Sequence, residues 1–148
     1  MHFEDEFHLV LKRDCPTCTL IEPEVRKLIE NGDFGQDFRI HIQDDPSYLS
    51  DLSQSVSDAS LESSYRLKIE TVPTLIRFEK GEETSRSVGR VHKEWSQLLN
   101  EHMFGEHLPE SRPGCGSLTV MPGVKETLDA RFGDLPLNSC LLYTSDAA

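Results

Sequence analysis

A chain of 148 residues with 36% apolar content can bury one domain-sized core and carry an appendage. Its 26 acidic against 15 basic side chains leave a formal charge of -11, which repels nucleic acid and anionic membrane surfaces and argues against both as partners. No apolar run approaches the roughly 20 residues a spanning helix needs, and MHFEDEFHLVLKRD puts acids where a secretory leader carries basic residues, so the chain reads as cytoplasmic.

In chain order, Phe7 to Lys12 (FHLVLK) is a short apolar run of the kind a central strand needs. Cys15 and Cys18 follow in CPTC. From Pro16 the apolar residues Leu20, Ile21, Val25, Leu28 and Ile29 recur on one face of a helix, with Pro23 inside it as a kink and NGDFG as its stop. Asp37 to Ile42 (DFRIHI) alternates as a second strand. QDDPSYLSDLSQSVSDAS is polar and Ser/Asp-rich and reads as a loop with a turn at Asp44-Asp45-Pro46.

SLESSYRLKI is a short helix with Ser60 as its expected N-cap. TVPTLIRFEKGEETSRSVG reads as strand, turn, strand: Leu75, Ile76 and Phe78 face the core, Lys80-Gly81 turns, and Val88 lies on the return. HKEWSQLLNEHM is amphipathic, with Trp95, Leu98, Leu99 and Met103 on one face. The order βαβαββα predicts an α/β fold, a central sheet flanked by helices, over residues 1–104.

Residues 105–121 are rich in Gly and Pro and read as a linker. Pro122 to Gly133 predicts one more helix, an orphan without obvious partners, so residues 122–139 read as the start of a truncated second region. The last nine residues, Cys140 to Ala148 (CLLYTSDAA), match a translated sequencing adapter and are set aside from the fold as an artefact.

That exclusion bears on the cysteines. A CxxC can be a redox dithiol, half of a zinc site, or two inert thiols. Structural zinc takes four ligands, usually as two close pairs, and without Cys140 no second pair is left beside Cys15 and Cys18. A CxxC directly after an apolar strand and opening an amphipathic helix favours the dithiol. The helix N-terminus stabilises negative charge on Cys15, Pro16 costs little in the first turn, and Cys18 lies one turn on. Cys115, in RPGCGS, is either an incidental loop thiol or a third redox cysteine that exchanges with the dithiol or belongs to the missing C-terminal region. The six histidines show no metal-ligand spacing and are expected at the surface.

CPTCTLIEPEVRKL and SYRLKIETVPTLIRFEKGEETSRSVG together resemble the thioredoxin superfamily, over about Phe7 to Met103. The resemblance implies a thioredoxin-like fold with a central mixed sheet. It implies thiol-disulfide oxidoreductase activity with Cys15 as nucleophile and Cys18 as resolving cysteine, supported by Pro16, Thr17 and a cis Pro73. It also implies peptide binding along Val72, Pro73 and Thr74. No bound cofactor or metal is implied, only a redox-active Cys15–Cys18 disulfide. The implied partners are protein disulfides and a dithiol reductant of the thioredoxin-reductase type, acting on a monomer. Four features depart from the family: Asp14 replaces a tryptophan, Pro16-Thr17 replaces Gly-Pro, Leu9 replaces a buried aspartate, and the Ser-rich loop at Ser47 to Ser60 is longer. Two alternatives stand beside this activity: a redox module passing electrons to a missing C-terminal region, or a non-catalytic peptide-binding domain.

Overall fold

A computed structural model describes residues 5–31, 37–99 and 109–133. The apolar run becomes β1 (Asp5–Leu11), buried from Phe7 onward on both faces, as a central strand must be. It pairs in parallel with β2 (Phe38–Ile42), from Phe7 opposite Phe38 to Leu11 opposite Ile42. The crossover between them is α1 (Pro16–Asn31), which contains Pro23. On its other side β1 runs antiparallel to β5 (Thr74–Glu79), and β5 forms a hairpin with β6 (Glu82–Val88). Lys80 and Gly81 both take positive φ at the turn, the geometry that follows strand twist in a tight hairpin.

A short strand, β3 (Ser55–Ser57), completes the sheet in the order β3-β2-β1-β5-β6. The Ser/Asp-rich stretch was expected to be loop throughout. Its residues Ser55, Val56 and Ser57 pair in parallel with Ile40 to Ile42 at the sheet edge, where little burial is required of their side chains.

Helix α2 (Glu62–Arg66) lies on one face: Gln43 Nε2 donates to Ser64 Oγ at 2.9 Å and Arg86 Nη2 to the Leu67 carbonyl at 2.8 Å. Helix α3 (His92–Leu99) lies on the other, where Arg77 Nη1 donates to the Leu98 carbonyl at 3.0 Å and Ser87 to Glu94 at 2.7 Å. Glu24 of α1 meets Arg90, just before α3, at 3.4 Å. Trp95 is buried, and Met103 lies outside the described residues. This mixed sheet, covered by helices on both faces, is a thioredoxin-like fold. Among the described residues no helix is long and apolar enough to cross a membrane.

Three expectations change. Ser60 is not at the N-cap position of α2, although its hydroxyl accepts from Glu62 N at 3.3 Å. Leu61 stands at the N-cap with φ 65°, and the cap is supplied from farther back by Asp58, whose carboxylate accepts from Ser63 N at 3.0 Å and Ser64 N at 2.9 Å. Not all histidines are at the surface. His8 and His41 are each 1% exposed and stack on one another, with His8 Nδ1 and His41 Nε2 2.9 Å apart.

The C-terminal segment is not a bare linker followed by an orphan helix. β8 (Ser111–Arg112) pairs with β7 (Arg90–Val91), and β9 (Cys115–Gly116) pairs with β4 (Thr71–Val72). Ser117, fully buried, accepts from Gln43 Nε2 at 2.7 Å, and Thr119 Oγ1 donates to the Ile69 carbonyl at 2.6 Å. Helix α4 (Val124–Phe132) packs Leu128 and Phe132 against Leu61. Pairs of two residues made through the backbone leave no periodicity in a Gly/Pro-rich sequence. Residues 134–148, including Cys140 and the adapter-like tail, lie outside the described residues.

Buried His41 carries a pH dependence. Burial, then the charges of His8 and Arg39, hold His41 well below its ordinary value of 6.5. Below pH 6.5 the unfolded chain therefore binds a proton that the folded chain refuses, so stability is present above that pH and is lost as pH falls beneath it. Urea midpoints should decline from pH 7 to pH 5 with a slope of up to ~1.4 kcal/mol per pH unit from this group, and His41→Leu should flatten that slope.

Candidate active site

The loop from β1 into α1 is held from below by one carboxylate. Asp44 accepts from Arg13 N at 2.8 Å, Asp14 N at 2.9 Å and Asp45 N at 2.7 Å. Burial opposes its ionisation, yet these N–H groups outweigh that and keep its carboxyl below the usual range. Arg13 also pairs with Asp45 at 3.0 Å and stands over the Tyr48 ring. Sequence reasoning saw here only a turn; nothing in the composition says that a turn carboxylate braces a loop 30 residues earlier.

Cys15 immediately precedes the first residue of α1, and its Sγ accepts from Cys18 N at 3.3 Å. It is 2% exposed and Cys18 is fully buried. Hydrogen bonding from Cys18 stabilises the Cys15 thiolate against the penalty of burial, and the Cys115 thiol and the Cys18 and Thr17 backbones add to it, drawing Cys15 down to about 5. Cys18 is pushed up by holding that bond to Cys15 and by burial, with a hydrogen bond from the Lys12 backbone opposing. No carboxylate is among the principal influences on Cys18, and fully buried Leu9 occupies the position where the resemblance would place one.

The pair sits against a second element. Cys15 Sγ is 3.7 Å from the Val72 carbonyl oxygen, and the Val72–Pro73 peptide is cis. Val72 and Thr74 are both buried. Thr74 turns its hydroxyl to the Thr71 carbonyl at 2.7 Å as β5 begins, while Gly89 N donates to the Pro73 carbonyl at 2.7 Å. Pro16 is exposed at the helix start. Thr17 is 2% exposed because its hydroxyl donates to the Pro113 carbonyl at 2.7 Å and accepts from Arg112 Nε at 3.2 Å. The structure therefore brings Cys15, Cys18, Thr17, Val72 and Pro73 together and adds Cys115 and Lys12, whose Nζ donates to the Gly116 carbonyl at 2.7 Å. Among the described residues no group of three or more His, Cys, Asp or Glu is placed to hold a metal ion.

A thiolate at a helix start, with a buried thiol one turn on, can attack a disulfide and be resolved internally. Thiolate ultraviolet absorbance of the reduced chain should rise with a midpoint near pH 5, and Cys115→Ala should move that midpoint upward by removing one donor to the sulfur.

No protein-family model matches the sequence, and no curated protein matches it. Among solved structures, thioredoxin O2 from Arabidopsis thaliana in its oxidized state is similar at 22% identity, covering 65% of this chain and 72% of that one, with a TM-score of 0.43. Trxlp from Edwardsiella tarda is similar at 20% identity over 57% of this chain and 69% of that one, with a TM-score of 0.39. A hypothetical protein from Sinorhizobium meliloti is similar at 12% identity over 76% and 78%, with a TM-score of 0.42.

Proposed function

We propose that the protein is a thiol-disulfide oxidoreductase that reduces protein disulfides with the Cys15–Cys18 dithiol. The observation that carries this is the pair's geometry: Cys15 at the start of α1, its sulfur held by Cys18 N, beside the cis Val72–Pro73 peptide. Cys15 thiolate attacks one sulfur of a substrate disulfide. A Cys15–substrate bond forms as the substrate disulfide breaks, and the departing substrate sulfur takes a proton. Cys18 then attacks Cys15 Sγ, forming the Cys15–Cys18 disulfide and releasing the second substrate thiol.

The second step does not depend on a carboxylate. The largest influence raising Cys18 is its bond to Cys15, and that influence lapses once Cys15 is held in a mixed disulfide without charge. Val72, Pro73 and Thr74 serve as the edge along which substrate peptide is bound, and Pro16 and Thr17 shape the approach to the sulfur. The couple needs no bound cofactor. A dithiol reductant of the thioredoxin-reductase type returns it to the reduced state, and the cytoplasm, where thiols are kept reduced, is the compartment that suits it. Transfer to a further C-terminal region was motivated by a helix without partners, and α4 has partners in Leu61 and Tyr65. Insulin-disulfide reduction with dithiothreitol as electron source tests the proposal. Turnover above dithiothreitol alone is expected, and a folded chain with no such turnover would count against it.

A further inference from the structure

The two buried thiols of the dithiol are not covered by the sheet alone. Strand β9 places Cys115 directly opposite Val72, the residue whose carbonyl lies 3.7 Å from Cys15 Sγ. Cys115 is half-buried and packs against the core cluster that holds Cys15 and Cys18. The segment that carries Cys115 is fastened on every side. Arg112 and Pro113 bond Thr17, Gly116 receives Lys12 Nζ at 2.7 Å, and Ser117 N donates to the Glu70 carbonyl at 3.0 Å. Gly114 allows this approach: a Cβ there would lie 2.7 Å from Thr71 Cγ2 and inside contact distance of the Val72 carbonyl. An extended peptide bringing a disulfide to Cys15 would have to run along this same backbone edge and present its sulfur where Cys115 now stands.

We propose that Cys115 is a third exchanging thiol of this centre, docked by β9 as an internal substrate that converts the Cys15–Cys18 disulfide into a Cys15–Cys115 disulfide. The inference rests on the dithiol function proposed above. The step balances within the chain. The Cys115 thiol gives a proton to solvent, and its thiolate attacks Cys15 Sγ. The Cys115–Cys15 bond forms as the Cys15–Cys18 bond breaks, and the electron pair leaves on Cys18 Sγ, which takes up a proton. No oxidant is consumed beyond the substrate disulfide that oxidised the pair. While Cys15 is a thiolate, burial and the bond to Cys15 hold the Cys115 proton in place; Lys12 nearby favours its release. When Cys15 enters a disulfide its charge is gone and Cys115 becomes the freer nucleophile. With β9 bonded in place, the groove is closed to an outside peptide.

The test uses the full chain carrying Cys140→Ser and Cys18→Ser, treated with one equivalent of dithiobis-nitrobenzoate. Cys15 attacks the reagent and releases one nitrothiobenzoate. Cys115 then attacks Cys15 Sγ and releases the second, leaving a Cys15–Cys115 disulfide that peptide mapping identifies. At ~10 μM protein this internal step should outrun any bimolecular exchange by about 100-fold, given a millimolar effective concentration for tethered groups. Addition of Cys115→Ser should stop the reaction after the first release. Retention of the label on Cys15 in the chain that still has Cys115, or a disulfide between two chains, would overturn the proposal while leaving the dithiol function standing. No first release from a folded chain would sink both. Should Cys18→Ser unfold, judged by circular dichroism, Cys18→Ala serves the same test.

Discussion

Replacing Cys15 by serine is expected to reduce insulin-disulfide turnover to the rate of dithiothreitol alone, because the only thiolate placed at the start of α1 is gone. Cys18→Ser combined with Cys115→Ser is expected to lose turnover as fully but to behave differently in one respect. It keeps the nucleophile and lacks both thiols that could release substrate, so Cys15-linked mixed disulfides with substrate should accumulate on non-reducing gels. Cys15→Ser should show none. Equal accumulation in the two variants would mean that Cys18 attacks substrate directly. Its full burial and raised proton affinity argue against that. The two serine variants thus separate attack from resolution.

A substitution far from the dithiol in sequence is expected to act on it nearly as strongly. Gly114→Val places a side chain against the Val72 carbonyl and Thr71, so β9 cannot keep its pairing with β4. Cys15, 2% exposed with the segment in place, should then be reached by iodoacetamide faster, by about tenfold for each ~1.4 kcal/mol of docking free energy removed. Insulin turnover should rise with it, because peptide and segment compete for one edge. An unchanged alkylation rate would show that the segment does not gate the sulfur. The buried contacts of Ser117 with Gln43 and of Thr119 with Ile69 lie outside the pair that Gly114→Val breaks, so the segment remains tethered through them.

The parts of this centre differ in how far the sequence discloses them. FHLVLK followed by CPTC discloses a strand, a helix start and two thiols one turn apart, since each carries a spacing that side chains report. The hairpin is legible for the same reason, from Leu75, Ile76 and Phe78 on one side of Lys80-Gly81. Val88 on the return strand is 51% exposed, so its apolar character says nothing about the core. The cis Val72–Pro73 peptide follows only from likeness to a family, because no local pattern in TVPT sets it apart from any other proline.

Cys115 is legible in the sequence as a thiol that can exchange with the dithiol, but not in the way it is docked beside Val72. Its placement depends on backbone pairing of two residues with two, on a close approach at Gly114, and on buried hydroxyl and amide contacts at Ser117 and Gln43. None of these has a period, and each uses residue types that are also common in linkers. Asp44 is hidden for a related reason, since a carboxylate that accepts three backbone N–H groups looks in sequence like any turn aspartate. His8 and His41 could have been foreseen. A strand buried on both faces leaves no exposed side for His8, and the apolar flanks of His41 in FRIHI carry the same implication.

The most direct measurement equilibrates the intact chain in dithiothreitol buffers of graded redox poise, quenches it with acid, and maps every thiol by mass spectrometry. One two-electron transition is expected, in which Cys15 becomes disulfide-bonded, to Cys18 with a share to Cys115, and is fully recovered as a thiol at the reducing end. Cys15 and Cys18 alkylated as free thiols at every poise, in a chain that remains folded, would contradict a redox dithiol at the start of α1.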